Sequence, residues 1–380
     1  MDPLPSHTRW VIVGAGFAGA ATAWALGRAG LGPGIILEQE YACGAQASGR
    51  NAGMLRLTES DPLIRALARR SLESIRCLDG GTQHIVRFTG GLTLAPPGVG
   101  LLLEAHYLAL EREGVPAEIL SVPAALARFP FLGAIRFQSA LWCPEEAVAD
   151  VDALLMHYLR SARATGFTLY TGHRAEELLV EGGRVRGVRV EDREMLADTV
   201  IDASGAWAGT LGRRHVPLPL QPFRRHVFIS GTFEATWPRS APWVWMWRNE
   251  FYVRPESDGL LLSPCDETRA EPGTPPVDPA AADWLALKLA RHARGFEHLT
   301  LRRSWACLRT FAPDRRPLVG PDSTLPGLFH VSGLGGFGVT ASAAIGEVAA
   351  LALAGQDAAW IDLAELSPAR LNPEPAAHRS

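Results

Sequence analysis

The sequence Val11-Ile-Val-Gly-Ala-Gly-Phe-Ala-Gly19 decides the fold of this chain. Its three leading apolar residues predict a short buried strand, and Gly14, Gly16 and Gly19 stand in G-x-G-x-x-G spacing. An alanine-rich helix follows, and a second apolar strand then ends in Glu38. The stretch therefore predicts a strand–helix–strand unit in which a glycine-rich turn opens the helix.

Each glycine of this unit has a physical role in binding a dinucleotide. Gly14 permits the tight turn, Gly16 lets the backbone approach a pyrophosphate at the positive end of the helix, and Gly19 lets helix and strand pack closely. A carboxylate at Glu38 can accept hydrogen bonds from both ribose hydroxyls and disfavours a 2′-phosphate, so FAD or NAD(H) is favoured over NADP(H). The alternative is a glycine-rich turn that binds no ligand.

Length and composition limit the class of protein. The chain has 380 residues, which predicts two domains, and its 47% hydrophobic and 20% charged residues are typical of a globular protein. A net charge of −3 gives no reason to expect nucleic acid as a partner. The five cysteines form no C-x-x-C pair, which argues against a metal site and fits the cytoplasm. No signal peptide is visible, and no apolar run reaches the roughly 18 residues of a membrane span.

The pattern of segments predicts an α/β fold, α+β overall, with a discontinuous nucleotide-binding domain. The βα rhythm stops near residue 85, returns at Asp150 and stops again at a strand-rich, aromatic segment from Gln221. We predict a Rossmann-like cofactor domain and a mostly antiparallel β substrate domain. The first comprises residues 1–84, 145–218 and 310–380, and the second comprises residues 85–144 and 219–309.

Three further segments place small residues where a cofactor could approach the backbone. Ser48-Gly-Arg-Asn-Ala-Gly53 offers Ser48 and Arg50 to phosphate, with an ordinary helix start as the alternative. Asp202-Ala-Ser-Gly205 follows a buried strand, as at a cofactor crevice. Gly333-Leu-Gly-Gly-Phe-Gly338 precedes a small-residue helix and predicts a second cradle for an anion or a carbonyl.

Trp243, Trp245 and Trp247 alternate in the sequence, which predicts that all three side chains share one face of a strand. Such a face is either part of a core or the aromatic wall of a substrate pocket. If Trp243 and Trp245 face the pocket, an apolar or aromatic substrate side chain is favoured.

Five motifs in this order resemble the flavoprotein family of D-amino-acid oxidase, glycine oxidase and sarcosine oxidase. They are Val11–Gly19 with Glu38, Ser48–Gly53, Asp202–Ala208, Trp305-Ala-Cys-Leu-Arg309 and Gly335-Gly-Phe-Gly-Val-Thr340. The resemblance covers almost the whole chain, and within the family it is strongest to D-arginine dehydrogenase-like D-amino-acid dehydrogenases. It implies FAD in the discontinuous Rossmann-like domain, with a mostly antiparallel substrate domain over the flavin.

The resemblance also implies which residues contact a non-covalently bound FAD. The expected contacts are Gly14, Gly16, Phe17, Ala18, Gly19, Glu38, Gln39, Ser48, Arg50, Asn51, Ala52, Gly53, Met54, Ala175, Ala203, Ser204, Gly205, Trp207, Arg309, Gly333, Gly335, Gly336, Phe337, Gly338, Val339 and Thr340. Cys307 aligns with the position at which monomeric sarcosine oxidase bonds its flavin. A covalent bond there is the alternative to an ordinary buried thiol.

The same resemblance implies a substrate site. Arg309 and Arg225 match positions that hold the substrate carboxylate, a role that suits guanidinium because it can donate two parallel hydrogen bonds. Tyr252 is expected to bond the substrate. The alternatives are a surface ion pair for Arg309, a core position for Tyr252 and an exchange of roles between Arg225 and Arg224. The expected pocket also contains Met54, Glu59, Leu92, Trp243, Trp245 and Gly336.

The expected reaction is oxidative deamination of a D-amino acid to a 2-oxo acid and ammonia, with hydride transfer from Cα to flavin N5. Met54 and Leu92 stand where D-arginine dehydrogenase carries His and Glu, which disfavours specificity for arginine. Glu59 is the acid that could compensate. Lys288, the only lysine, is expected to be exposed, which disfavours a lysine-assisted reaction with O2 and favours a quinone as electron acceptor.

Three alternatives stay open. The substrate could be glycine, sarcosine or another N-substituted amino acid. The chain could be a tRNA-modifying flavin domain, which its net charge of −3 disfavours, or a flavin-binding subunit without redox activity. Transfer of electrons to a quinone would place a cytoplasmic protein at the periphery of the inner membrane.

Overall fold

The structure, a computed structural model, describes residues 4–78, 85–211, 218–232, 237–248, 250–296 and 298–371. The ends of the predicted domain segments at residues 1–3, 79–84, 212–217 and 372–380 lie outside the described residues. In the described ranges the α-helices are α1 (Phe17–Arg28), α2 (Pro62–Arg76), α3 (Gly100–Arg112), α4 (Val122–Arg128), α5 (Val151–Ala164), α6 (Ala208–Leu211), α7 (Ala280–His292) and α8 (Ser342–Leu353).

The strands fall into three sheets. In chain order they are β1 (His7–Val13), β2 (Gly34–Glu38), β3 (Met54–Leu55), β4 (Val86–Arg87), β5 (Gly91–Ala95), β6 (Glu118–Ser121), β7 (Ser139–Cys143), β8 (Ala147–Ala149), β9 (Phe167–Thr171), β10 (Ala175–Glu181), β11 (Arg184–Val190), β12 (Arg193–Asp202), β13 (Gln221–Ser230), β14 (Trp243–Met246), β15 (Phe251–Glu256), β16 (Gly259–Ser263), β17 (Thr268–Arg269), β18 (Leu301–Phe311), β19 (Leu318–Pro321) and β20 (Leu328–Ser332).

The opening motif lies at the centre of an eight-stranded sheet. Its order is β10-β11-β12-β1-β2-β9, with β20 paired to β12 and β19 paired to β20. β1 runs parallel to both β2 and β12, as the strand–helix–strand pattern predicts. Helix α8 crosses α1 so closely that a Cβ atom at Gly346 would lie 2.3 Å from the Ala21 carbonyl oxygen. Small residues on both helices thus hold α1, and with it the glycine turn, against the sheet.

One strand prediction in this sheet is wrong. The sequence suggests a short strand over residues 194–196 and a separate strand from Thr199, but Arg193–Asp202 is a single strand. Its first half pairs antiparallel with β11, and its second half pairs parallel with β20. The change of partner along one strand explains why the sequence pattern looks like two elements.

The second large sheet has nine strands in the order β17-β13-β16-β15-β14-β5-β7-β6, with β18 beside β13. All its pairs are antiparallel except β14 with β5. A small sheet, β3-β8-β4, completes the set. The predicted mixed α/β class, with one Rossmann-like and one mostly antiparallel sheet, is therefore confirmed, whereas the exact domain limits stay a prediction.

Two further properties concern the described ranges as a whole. No helix there has the length and apolar character needed to cross a membrane. No group of three or more His, Cys, Asp or Glu side chains there is arranged to hold a metal ion.

Candidate functional site

A cavity of about 850 Å³ lies between the two large sheets. Its lining includes the carboxyl ends of β1, β2 and β20, together with residues of β13, β14 and β18. The carboxyl edge of a parallel sheet is the usual place for a cofactor in α/β proteins. We call the part lined by the eight-stranded sheet the cofactor end and the part lined by the nine-stranded sheet the substrate end.

The glycine turn forms a close-fitting part of the cofactor end. Gly14 has φ of +104°, and a Cβ atom there would lie 2.5 Å from the Ala203 carbonyl oxygen. Helix α1 begins at Gly16 without a side-chain cap, although the Phe17 N–H donates to Ser48 Oγ at 3.0 Å. An uncapped helix N-terminus beside a hydroxyl and a glycine backbone fits a pyrophosphate.

The acid at the end of β2 faces the same space. Glu38 accepts hydrogen bonds from the backbone N–H groups of Ala15, at 2.8 Å, and Glu40, at 2.9 Å. Burial raises the pKa of Glu38, and these N–H groups oppose that rise. The carboxylate is thereby held at the cavity wall in the position expected for a ribose-binding acid.

The second glycine loop, residues 333–338, follows β20 directly and lines the cavity. Its residue Gly335 has φ of +55° and donates its N–H to the Thr310 carbonyl at 2.9 Å. The N–H groups of Gly336 and Gly338 donate to no acceptor in the described part of the chain. Backbone donors left over at a cavity wall suit the carbonyl groups of a flavin ring, as predicted from the loop composition.

Most of the expected cofactor contacts line the cavity. Two do not. Gly19 packs against β1, because a Cβ atom there would lie 1.9 Å from the Gly14 carbonyl oxygen. Arg50 is absent from the lining, and its carbonyl accepts a hydrogen bond from Trp305 Nε1 at 2.8 Å. The residues that do line it are Gly14, Gly16, Phe17, Ala18, Glu38, Gln39, Ser48, Asn51, Ala52, Gly53, Met54, Ala175, Ala203, Ser204, Gly205, Trp207, Arg309, Gly333, Gly335, Gly336, Phe337, Gly338, Val339 and Thr340.

Two arginines meet at the substrate end. Arg225 of β13 pairs with Cys307 of β18, so Arg309, two residues further along β18, lies on the same face of the sheet. Arg225 is 1% exposed and bonds Glu267 through Nη2 at 3.0 Å. Arg224 points elsewhere and bonds Asp278 at 2.7 Å, so the two neighbours do not exchange roles.

The two guanidinium groups carry charge that the protein balances only in part. Arg225 Nε and Nη1 are buried without a hydrogen-bond partner, and Arg309 forms no ion pair with any carboxylate of the described residues. Burial, and then the charge of Arg225, lower the pKa of Arg309. Unsatisfied guanidinium donors beside a cavity are a site for a carboxylate.

Three expected pocket residues do not line the cavity. Tyr252 is fully buried, and its hydroxyl has no hydrogen-bond partner in the described ranges. Trp243 packs over Gly91, behind the wall. Leu92 lies on the opposite face of the sheet, in the core with Val244, because side chains alternate along β5. The prediction that Leu92 lies in the substrate pocket is therefore wrong.

The three tryptophans share one face, as their alternation in the sequence predicts. Trp243 and Trp245 pack in one cluster. Trp247, just beyond the end of β14, packs with Ala95 on the same face, stacks on His106 at 5.8 Å and also lines the cavity. Trp245 lines the cavity. The Arg56 guanidinium carbon lies 3.9 Å from the centroid of the Trp245 ring. The indole is therefore covered by a charged group rather than presented as an apolar wall.

Sequence reasoning missed Arg56 itself. It lines the cavity with Met54, Glu59 and Gly336, and its Nη1 forms an ion pair with Glu59 at 2.8 Å. The i,i+3 spacing of opposite charges in residues 56–59 was the available signal.

A buried carboxylate anchors this segment. Glu146 is fully buried, and its Oε1 accepts hydrogen bonds from Leu57 N at 2.8 Å, Thr58 N at 2.9 Å and Thr58 Oγ1 at 2.8 Å. Its Oε2 has no partner in the described residues. Burial raises the pKa of Glu146 to about 7, although the charge of Arg56 opposes this. Glu146 thus fixes the backbone that carries Arg56 and Glu59.

The raised pKa of Glu146 makes stability depend on pH. Between its ordinary pKa of 4.5 and about 7, the folded protein keeps a proton that the unfolded chain has released, so the free energy of unfolding falls as pH rises. The Glu146→Gln variant has no carboxyl group to titrate here. Its free energy of unfolding, relative to that of the parent protein, should therefore rise by about 3 kcal/mol across this pH window. Urea unfolding from pH 5 to 8 measures the difference. A gain that does not change with pH, or an equal gain in the variant of the half-buried neighbour, Glu145→Gln, would contradict this expectation.

Cys307 and Lys288 lie in different surroundings. Cys307 is 4% exposed and lines the cavity, and burial raises the pKa of its thiol. Lys288 is half-buried, not exposed as expected, because its Nζ donates to the Pro264 carbonyl at 2.7 Å. Lys288 does not line the cavity.

Comparisons with known proteins agree with this architecture. Residues 9–352 match the family model described as DAO, FAD dependent oxidoreductase. The pyruvate dehydrogenase phosphatase regulatory subunit of Mus musculus is 23% identical over 90% of this chain and 41% of its own length. The 4-methylaminobutanoate oxidase (formaldehyde-forming) of Paenarthrobacter nicotinovorans is 26% identical over 91% of this chain and 43% of its own length. The chain therefore spans less than half of these two relatives.

A solved structure shows the same fold over nearly the whole chain. The crystal structure of L-proline dehydrogenase from P. horikoshii superposes with a TM-score of 0.86 and 19% sequence identity. The match covers 97% of this chain and 99% of that one.

Proposed function

Because the chain belongs to the DAO family of FAD-dependent oxidoreductases, we propose that it oxidatively deaminates a D-amino acid to a 2-oxo acid and ammonia. FAD is the cofactor of this family, and the glycine turn, Glu38 and the 333–338 loop fit it. Bound FAD supplies a two-electron acceptor for the hydride that leaves the substrate Cα.

The observation that carries this proposal is the pair Arg309 and Arg225 at the substrate end. Arg309, which forms no ion pair in the described residues, and the unpartnered Nε and Nη1 of Arg225 hold the substrate carboxylate. A planar guanidinium fixes the direction of the Cα–H bond as well as the position of the carboxylate. The substrate nitrogen must be neutral, since its lone pair assists departure of the hydride. The N–H donors of Gly336 and Gly338 favour negative charge on the ring that they face.

The structure removes the reason to expect an apolar substrate side chain. That expectation required Trp243 and Trp245 both to face the pocket, whereas Trp243 lies behind the wall and Arg56 covers Trp245. We therefore leave an apolar side chain out of the proposed function.

A second candidate is oxidation of an N-substituted amino acid such as sarcosine. The name of the 4-methylaminobutanoate oxidase describes an N-methylated substrate, and that relative is 26% identical over 91% of this chain. An arginine-bound carboxylate serves both candidates equally well.

Anaerobic reduction of the purified flavoprotein separates the candidates. D-Alanine is expected to bleach the flavin absorbance, with L-alanine, glycine and sarcosine as comparisons. Faster bleaching by sarcosine would select the second candidate, and no bleaching by any amine would indicate a subunit without redox activity. We propose a quinone as electron acceptor, since Lys288 is absent from the lining, so reoxidation should be slow in air and fast with a soluble quinone.

We further propose that FAD is held without a covalent bond. A thiol must be ionised to attack, and burial of Cys307 raises its pKa. Acid precipitation is expected to leave all the flavin absorbance in the supernatant. A yellow pellet that becomes colourless in the Cys307→Ala variant would show the opposite.

A further inference from the structure

We propose that Arg56 is a specificity-determining residue that directs the substrate site towards amino acids with a second carboxylate in the side chain. The inference rests on the proposed amino-acid oxidation and names the substrate class for it. It begins from the placement of Arg56, which neither the cofactor nor the α-carboxylate requires.

The Arg56 side chain lies in the cavity wall as a fixed donor. It is 14% exposed, and its guanidinium carbon lies 3.9 Å from the centroid of the Trp245 ring. A guanidinium that stacks on an aromatic ring keeps its N–H groups at its edge, in its own plane. Glu59 lies 2.8 Å from Nη1, and Nε has no hydrogen-bond partner in the described residues, so Glu59 does not satisfy the whole guanidinium.

The position of this donor is set by the buried Glu146. Because Glu146 holds the backbone of Leu57 and Thr58, the residues at positions 56 and 59 cannot move away from the wall without breaking three hydrogen bonds. Arg56 is therefore preorganised to bind an anion.

The substrate end has more positive than negative charge. Four acids line it, Glu59, Asp61, Glu267 and Asp314, and two of them, Asp61 and Asp314, are each paired with an arginine outside the lining. The arginines that line this end are Arg56, Arg225, Arg248, Arg309 and Arg315. The α-carboxylate of a substrate neutralises one of the excess charges, and a second carboxylate neutralises another.

Arg56 and Arg309 both lie beside the second glycine loop and the residues that follow it. The Arg56 backbone N–H donates to Thr340 Oγ1 at 3.5 Å, and a Cβ atom at Gly336 would lie 3.1 Å from Arg309 Nη1. A ligand bound to Arg309 therefore lies within the field of Arg56. The same field repels a cationic side chain, and Glu59 cannot compensate, since Arg56 already occupies it.

The test compares D-glutamate with D-glutamine, which have the same shape but differ by one charge. In the parent protein kcat/KM for D-glutamate should exceed that for D-glutamine at least about tenfold. The Arg56→Gln variant should lower this ratio roughly 10- to 100-fold through KM, and leave D-glutamine turnover within about threefold. Arg128→Gln is the matched control, because Arg128 also lies over a tryptophan, at 5.2 Å, and pairs with a glutamate, but does not line the cavity.

A second variant keeps the test valid if Arg56→Gln loses flavin. Glu59→Gln releases Nη1 and should lower KM for D-glutamate several-fold while KM for D-glutamine stays constant. A D-glutamate to D-glutamine ratio near one in the parent, or one that neither variant changes, would overturn the role of Arg56. If D-alanine still reduces the flavin in that case, the proposed amino-acid oxidation stands and only the role of Arg56 falls. If no amino acid reduces the flavin, the proposed function and the role of Arg56 are both overturned.

Discussion

Replacement of Arg309 by methionine is expected to lower kcat/KM for the amino-acid substrate by roughly 10²- to 10⁴-fold. Methionine fills a similar volume but removes the guanidinium, and with it two charge-assisted hydrogen bonds to the carboxylate, each worth about 1.5–3 kcal/mol. Arg225 cannot take over fully because Glu267 already engages its Nη2 at 3.0 Å. Stopped-flow reduction of the flavin as a function of substrate concentration measures both the binding and the chemical step.

The matched control is Arg303→Met on the same strand. Arg303 is exposed and lies outside the cavity lining, so its loss should leave kcat/KM within about twofold. Arg309→Lys should retain an intermediate activity, since lysine keeps the charge but cannot form the planar pair of bonds. Equal activity of the methionine variant and the parent would exclude Arg309 from carboxylate binding.

The Gly14→Ala variant is expected to purify without FAD, with affinity lowered roughly 100-fold or more. Gly14 has φ of +104°, and the added Cβ would lie 2.5 Å from the Ala203 carbonyl oxygen. Neither backbone can yield, because β1 and β12 are paired in register up to Val13 and Asp202. The ratio of flavin absorbance to protein absorbance after purification gives the result directly.

The Gly30→Ala variant separates the effect of backbone strain from the effect of a steric clash. Gly30 also has a positive φ, of +69°, but a Cβ atom there meets nothing within 4 Å. This variant should cost about 1 kcal/mol of stability and keep its full flavin content. Full flavin content in the Gly14→Ala variant, with normal thermal stability, would show that the turn does not need glycine.

The parts of the fold that the sequence predicts are those with local causes. The turn at Gly14 needs a glycine because of its own φ, and the strands of the opening unit are apolar because both their faces are buried. The signals for the turn and the strands are contained in neighbouring residues. The two arginines were placed only by the resemblance, and their position on paired strands is a finding of the structure.

The errors arose where distant strands decide the outcome. Leu92 faces a core rather than the pocket, because β5 pairs with β14, about 150 residues later, in a register that turns Trp245 to the cavity and Leu92 away from it. A one-residue change in register reverses every side chain of a strand, so alternation alone cannot assign a face to a cavity.

The sequence by itself thus determined the cofactor class, the glycine cradle and the arginines available for a carboxylate. Only the tertiary structure decided which charges surround the substrate. Glu146 meets the 57–58 backbone across about 90 residues, and Arg56 meets Trp245 across nearly 190. The physical reason is that a cavity wall is assembled by packing between separate elements, whereas a glycine turn is determined by the conformation of its own backbone.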